Sequence, residues 1–419
     1  MLYRPEIVLC IGWALYGIIF LTAPLVVNVD VQAGSLLYIA VTSLAFVVGS
    51  VAANFLSYKS SSFYVSSIQQ QKREAFLFNL FVFIGIIGNV LRIVDKYVLR
   101  SSEATNVLGA REMLADTSSS VIGMLGGVLY PFGYLAFFIY LSASFLPRSG
   151  WRLVIALMVF LIPTVDGLLL YSRSIMLVAM TMLYFGVSLA MFGGRLFPKK
   201  LLLPTALLVF AVAIVSVLIF FLRIGEMQLA LEFSMFQSAY AYTVQPTENA
   251  AEYISAGGIA SSWFSGFILL AQYYLHGFFE LQLLWEGADR QIYSHGALLF
   301  APILKPFNIL GVLPATNLAE LIPRLGVFTT FYGPLWVDFG WVAPFVMFIF
   351  GIVARRLGIA SQHGDYSTIP LYTYVCVILV FAPVVNFAIS TQGMYCIIAF
   401  SIYWISTRKI ARSQVQPSQ

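Results

Sequence analysis

The feature that most constrains this chain is a succession of apolar runs of about 18 residues or more, long enough to cross the hydrocarbon of a bilayer. They fall at about 6–27, 34–57, 75–98, 119–146, 152–172, 174–192, 202–222, 335–354, 369–389 and 391–406. Backbone N–H and C=O groups in lipid must find partners within the spanning element, so the runs predict helices, about ten of them. Composition agrees. Of the 419 residues 60% are hydrophobic and 10% charged, too few polar side chains to cover a water-facing surface. The first run, Ile7 to Val27, has the length of a span and no small-residue cleavage site, so it is expected to stay as an anchor. Cys10, Cys376 and Cys396 sit inside apolar runs and read as packing residues.

Basic residues orient the helices. With the N-terminus inside, fourteen of the 23 Lys and Arg fall on inside segments, among them Arg4, Arg148, Arg195, Arg355 and Arg408. Only Glu6, Glu74 and Asp365 of the 18 acids join them. Both termini are therefore expected in the cytoplasm. The net charge of +5 suits a positive inner face rather than nucleic-acid binding. The resulting division is helices over 1–222, with a small outer segment near 95–118; a long outer segment over 223–331; helices over 332–407; and a tail over 408–419. The long segment contains "SSWFSGFILLAQYYLHGFFELQLLW", too apolar for a solvated loop and interrupted by Gly266 and Gly277. It is expected to form helices that lie in the interface or re-enter the membrane. Within it "PTENAAEYISAGG" predicts a short helix, opened at Pro246–Thr247 and stopped at Gly257–Gly258. No internal repeat is visible.

The outer side carries Arg92, Arg100, Arg111, Arg173, Arg223, Arg290 and Arg324, but only Lys96 and Lys305. Guanidinium groups stay protonated and present a planar fork of donors suited to phosphate or pyrophosphate. Placed against the topological bias, some of these arginines are expected to bind an anion. Arg173 lies in "DGLLLYSRSIML", at a tight break between two spans. Asp166, seven residues earlier, would share its face on a continuous helix, so a structural Asp166–Arg173 link is the alternative to a ligand site. His276 and His295 fall outside and could take a proton from a sugar hydroxyl, or else anchor among interfacial aromatics. Glu280 lies one turn from His276 and could orient its ring. Trp263, Tyr273, Tyr274, Trp285 and Tyr293 suit sugar faces and an interfacial belt equally. The chain has no Asp-x-Asp pair, no metal-ligand spacing, no Walker loop and no dinucleotide fingerprint, so neither a metal nor a nucleotide cofactor is expected.

At "GVFTTFYGPLWVDFGWVAPF" the sequence resembles the Wzy-type polymerases, which join O-antigen or capsule repeat units in bacterial inner membranes. Asp338, Phe339 and Gly340 match their late Asp-Phe-Gly element. Pro323 and Arg324 match the Pro-Arg element before it, Arg173 and Ser174 the Arg-Ser element of a middle span, and Arg111 the arginine of the first outer loop. The chain departs from the family in having Tyr171–Ser172 where a glycine precedes the middle arginine.

The resemblance implies an all-α polytopic, GT-C-like membrane fold related to the O-antigen ligases. It also implies a metal-independent, inverting glycosyl transfer on the periplasmic face of the inner membrane. The substrates would be glycans on undecaprenyl pyrophosphate. Membrane lipids, a chain-length regulator and a repeat-unit flippase are the expected partners. Arg111, Arg173, Arg223, Arg290, Arg324 and Tyr332 are the expected contacts to pyrophosphate and glycan. His276, His295, Glu280 and Asp338 are the candidates for proton transfer. Asp338 is expected chiefly to orient an arginine or cap the N-terminus of its own helix. A ligase acting on lipid A core and a lipid or polysaccharide transporter are the competing readings.

Overall fold

The computed structural model describes residues 3–56, 67–104, 106–116, 120–143, 146–195, 197–226, 235–236, 238–287, 293–309, 311–313, 321–322, 324 and 327–413. In chain order the helices are α1 (Pro5–Thr22), α2 (Ala33–Ala52), α3 (Ser67–Ile93), α4 (Val107–Asp116), α5 (Val121–Leu129), α6 (Pro131–Ser142), α7 (Gly150–Leu169), α8 (Ser174–Met191) and α9 (Lys199–Glu226). They continue with α10 (Glu248–Ser255), α11 (Ile259–Glu286), α12 (Ala301–Ile309), α13 (Tyr332–Phe339), α14 (Ala343–Gln362), α15 (Ile369–Val380) and α16 (Thr391–Ser413). Among the described residues eight stretches are helical, long and apolar enough to cross a membrane: Pro5–Thr22, Ala33–Phe55, Gln70–Arg100, Val121–Ser142, Gly150–Leu169, Ser174–Met191, Lys199–Arg223 and Tyr332–Gln362. The protein is thus a mainly helical, multi-pass membrane protein.

Two of the expected spans behave differently. The run at 369–389 is helical only over Ile369–Val380, 12 residues, or about 18 Å against a hydrocarbon core of about 30 Å. Pro383 supplies no N–H to continue the helix. The chain turns instead, and the turn finds its partners on another segment. Phe331 N donates to Ala382 O (2.8 Å), Asn386 Nδ2 donates to Phe331 O (3.3 Å), and Thr330 bridges Val385. Every residue of α15 is buried except its last, Val380, so the broken backbone is enclosed by protein. The tenth run becomes α16, 23 residues long.

The long segment also departs from expectation. Gly266 and Gly277 do not break it: α11 is one continuous helix of 28 residues. The glycines serve close approach instead. A Cβ at Gly266 would lie 2.4 Å from Val217 Cγ1, and one at Gly277 2.5 Å from Val384 O. The helix crosses one end of the bundle, passing α9 at Gly266, α1 where Tyr16 Oη donates to Leu275 O (2.9 Å), and the start of α2 where Gln32 N donates to Gln282 Oε1 (3.0 Å). The expected short helix is α10, capped by Thr247 Oγ1 accepting from Ala250 N (3.3 Å) and ended by Gly257 and Gly258 at φ +75° and +105°. The all-α expectation misses one small element. Strands β1 (Leu25–Val27) and β2 (Val244–Pro246) pair antiparallel, Leu25 opposite Pro246, and tie the exit of α1 to the approach to α11.

The closest helix pair is α2 with α14. A Cβ on Gly49 would stand 2.0 Å from Phe348 O, and one on Gly351 2.1 Å from Phe46 O. Backbones that touch in this way gain dispersion contacts that lipid cannot match. Gly49→Ala should therefore lower the melting temperature of the detergent-solubilised protein, overpacking of this kind costing about 1–3 kcal/mol. Gly17→Ala, at a position with nothing within 4 Å, should leave it unchanged. Equal melting of the two variants would contradict the α2–α14 contact.

Candidate functional site

The site begins where α7 gives way to α8. Leu170 N and Ser172 N both donate to Gly167 O (3.1 and 2.8 Å) and Tyr171 N donates to Leu168 O (2.9 Å), closing the helix end. Tyr171 adopts a left-handed φ of +53°. Arg173 follows at the position just before α8. Its side chain is 7% exposed and lies over the rings of Phe220 (3.5 Å) and Tyr273 (4.3 Å). One guanidinium nitrogen, Nη1, is buried without a hydrogen-bond partner. The alternative of an Asp166–Arg173 link is not realised. Asp166 pairs with Arg92 (3.4 Å) and Lys96, both on the wider π-type turn and preceding helix that end at Arg100.

Arg111, on α4, donates through Nη1 to Leu170 O (3.2 Å) and Tyr171 O (3.3 Å). Arg223, in the last turn of α9, completes a trio. Burial holds the Arg173 and Arg111 guanidinium groups below their ordinary range, and repulsion from Arg223 adds to it in both. Among the described residues the ion pairs are Arg92–Asp166, Lys96–Asp166, Arg100–Asp95 and Arg324–Glu280. The trio takes part in none of them. Guanidinium stays protonated in proteins, so three positive charges converge here, and among the described residues no carboxylate pairs with them.

The middle of α11 supplies the other half. His276 and Glu280 lie one turn apart, 0% and 2% exposed. The imidazole is committed at both nitrogens, with Nδ1 facing Gln272 O (3.2 Å) and Nε2 facing Phe328 N (3.4 Å). With Phe328 N–H as a donor, Nε2 must accept, which leaves Nδ1 to carry the proton and donate to Gln272 O. Burial, joined by the charges of Arg324 and Arg173, pushes the imidazole pKa down to about 4. The ring is therefore neutral at pH 7. It also stacks obliquely against Tyr240, 4.4 Å between centroids. Glu280 does not orient this ring, as the one-turn spacing suggested. Its carboxylate takes Arg324 Nη1 at 2.6 Å, while Arg324 Nη2 donates to Ala239 O (2.9 Å) and the guanidinium covers the Tyr242 ring at 4.3 Å. Burial raises the Glu280 carboxyl to about 7 even against the attraction of Arg324. Beside this pair lies a cavity of about 140 Å³ lined by Tyr242, Glu280, Leu283, Leu284, Ile322, Arg324 and Thr329. His276 packs against Tyr273, 5.9 Å between centroids, the ring that Arg173 covers, and one turn further on Glu280 holds Arg324.

The remaining expected residues lie elsewhere. Asp338 is 1% exposed, near the end of α13, and neither orients an arginine nor caps its own helix start. Its oxygens accept from Ser294 Oγ, Leu298 N (3.0 Å) and Leu299 N (2.8 Å), and thereby hold the 294–300 turn. With every described donor drawn from that turn, it has no path to the trio. His295 belongs to the same turn, exposed, at φ +50°, its N–H on Asp338 O (3.1 Å). Tyr332 is fully buried, its hydroxyl bonded to Ser43 (2.6 Å) and to Trp13 Nε1 (3.4 Å) between α1 and α2. Arg290 and Pro323 lie outside the described residues. Of the aromatics, Trp285 stacks on Trp336 at 4.1 Å and belongs to the core, whereas Tyr273 faces Arg173. Among the described residues no three His, Cys, Asp or Glu side chains gather in the manner that holds a metal ion.

Sequence reasoning passed over Phe220, Tyr240, Tyr242 and Gln272. Gln272 Nε2 donates to Met235 O (3.0 Å) and Val244 O (2.8 Å), which fastens the 235–244 segment to α11. The available signal was "YAYT": the tyrosines two positions apart face His276 and Arg324 respectively.

Replacing Asp338 by Asn removes one of the two accepting oxygens and leaves a buried N–H without a partner, a loss of about 1–3 kcal/mol. The Asp338→Asn protein should melt earlier than the parent in detergent. Unchanged melting would mean that the 294–300 turn is held by something else. No model of a known protein family matches the chain, and neither a curated protein nor a solved structure does.

Proposed function

We propose that the protein is a membrane glycosyltransferase that polymerises oligosaccharide repeat units carried on undecaprenyl pyrophosphate, working on the periplasmic face of a bacterial inner membrane. The observation that carries this reading is the unbalanced trio Arg111, Arg173 and Arg223, set beside the Glu280–Arg324 pair. One buried and two half-buried cations, without an acid partner among the described residues, favour a polyanion, and one delivered at the end of a membrane bundle on a lipid tail is a lipid pyrophosphate.

The chemistry follows from the charges. The acceptor hydroxyl attacks the anomeric carbon of the donor glycan from the face opposite the pyrophosphate, which inverts that carbon. Its O–H proton passes to the Glu280 carboxylate. The new bond joins the acceptor oxygen to the anomeric carbon as the bond from that carbon to the phosphate oxygen breaks. Undecaprenyl pyrophosphate leaves with the electron pair. Arg173 and Arg223 meet the charge that develops on it, and fixed donors of this kind need no reorganisation at the moment of reaction. A carboxyl with a pKa of about 7 is matched to taking a proton near neutral pH. His276, neutral and bonded at both nitrogens, positions Phe328 without adding a charge. Tyr242, 61% exposed beside the cavity, offers an aromatic face to a sugar ring.

The test is purified protein incubated with a lipid-linked repeat unit, with product length read on a gel and a chelator present in one arm. Arg173→Ala and Arg324→Ala should abolish polymer while the protein stays in the membrane; long polymer from both would sink the assignment. Polymer yield should fall as the pH drops through about 7, because Glu280 must be deprotonated to act as a base. Glu280→Gln should cost about 10²–10⁴ in rate and remove that acid limb. A product one unit long that never grows would point to a ligase.

A further inference from the structure

Arg111 belongs to the trio, yet its guanidinium is turned toward the end of α7. A single nitrogen, Nη1, serves both Leu170 O and Tyr171 O. These are carbonyls at a helix C-terminus, where the last turn leaves its acceptors unsatisfied and carries partial negative charge. Between them stands a residue in an unusual conformation. Tyr171 has φ +53°, the left-handed region, which glycine usually fills where a helix ends this way. A residue with a Cβ is disfavoured there, so something must hold it. Two residues later comes Arg173, whose buried, partnerless Nη1 depends on where this turn directs the chain.

We propose that Arg111 is a positioning residue: it clamps the Leu170–Ser172 turn in the left-handed form that aims Arg173 at the anion. The inference rests on reading the trio as a pyrophosphate site, and it divides the labour within it. Arg173 and Arg223 face the ligand, while Arg111 acts through the backbone. It also gives three cations a way to coexist, since the charge of Arg111 is met by carbonyl dipoles instead of a carboxylate.

The clamp has a signature that a ligand arginine lacks. Glycine reaches φ +53° without strain, so Tyr171→Gly makes the clamp dispensable. The experiment uses the full-length protein in detergent micelles and inorganic pyrophosphate as the probe, with binding followed by titration calorimetry. Arg111→Ala should weaken pyrophosphate about five- to thirtyfold, the factor by which a Cβ disfavours the left-handed form. The double variant Arg111→Ala with Tyr171→Gly should recover most of that loss, and Tyr171→Gly alone should bind like the parent. A double variant as weak as Arg111→Ala overturns the proposal and makes Arg111 an anion ligand. Should Arg111→Ala not accumulate, Arg111→Lys, which cannot reproduce the guanidinium geometry, takes its place in the same pair.

A second readout needs no ligand. Amide hydrogen exchange across Leu170–Arg173 should quicken about tenfold in Arg111→Ala, the same order as the loss of the left-handed preference. Unchanged exchange overturns the clamp whatever pyrophosphate does. Quickened exchange in a protein whose parent form fails to bind pyrophosphate supports the clamp and overturns the lipid-pyrophosphate reading alone.

Discussion

A guanidinium buried without a carboxylate is the interaction on which the rest of this arrangement turns. Arg173 has given up most of its water and received two aromatic faces and an unmet donor in return. Desolvating a cation with so little compensation is unfavourable, and the surrounding structure has to offset it. The neighbourhood is built accordingly. α7 ends early enough to place the arginine at the mouth of α8. Phe220 and Tyr273 arrive from α9 and α11. The acid nearest in sequence, Asp166 on α7, is drawn away to Arg92 and Lys96 and does not quench the charge of Arg173.

The transverse helix α11 is the scaffold that brings these pieces together. Its face carries Tyr273, His276 and Glu280 within two turns, each with a different task. Tyr273 supports a cation, His276 pins Phe328 and Glu280 meets Arg324. An unbroken helix holds such side chains at fixed spacing, whereas helices interrupted at Gly266 and Gly277 would not. Glycines that look like breaks in the sequence are points of contact in the fold.

Much of this was readable from the residues. Apolar runs located the helices because lipid imposes one length and one backbone solution. Thr247 and Gly257–Gly258 bounded α10 because caps are local chemistry. Arg111, Arg173, Arg223, Arg324, His276 and Glu280 stand within electrostatic reach of one another. The partnerships were not readable. Spacing linked Glu280 to His276 and Asp166 to Arg173, but each acid found a base from a distant segment, since a Coulombic partner is chosen in space and not along a helix. Asp338 misled for a related reason. A lone carboxylate among aromatics invites a chemical role, yet backbone N–H groups of a turn some forty residues earlier consume it.

The short helix α15 carries a consequence for how the chain is put together. Its terminating turn takes a hydrogen bond from Phe331 and gives one back through Asn386, and Gly277 packs against Val384 O. All three contacts join residues 277 and 331 to a turn made later, over 382–386. The ribosome must therefore release the chain past this turn before the stretch from Phe328 to Phe331 has its final neighbours. Until then the N–H that His276 accepts belongs to an unanchored strand. The turn after α15 works as a keystone for this one stretch: the backbone that meets the His276 ring is fixed only when a segment made later arrives.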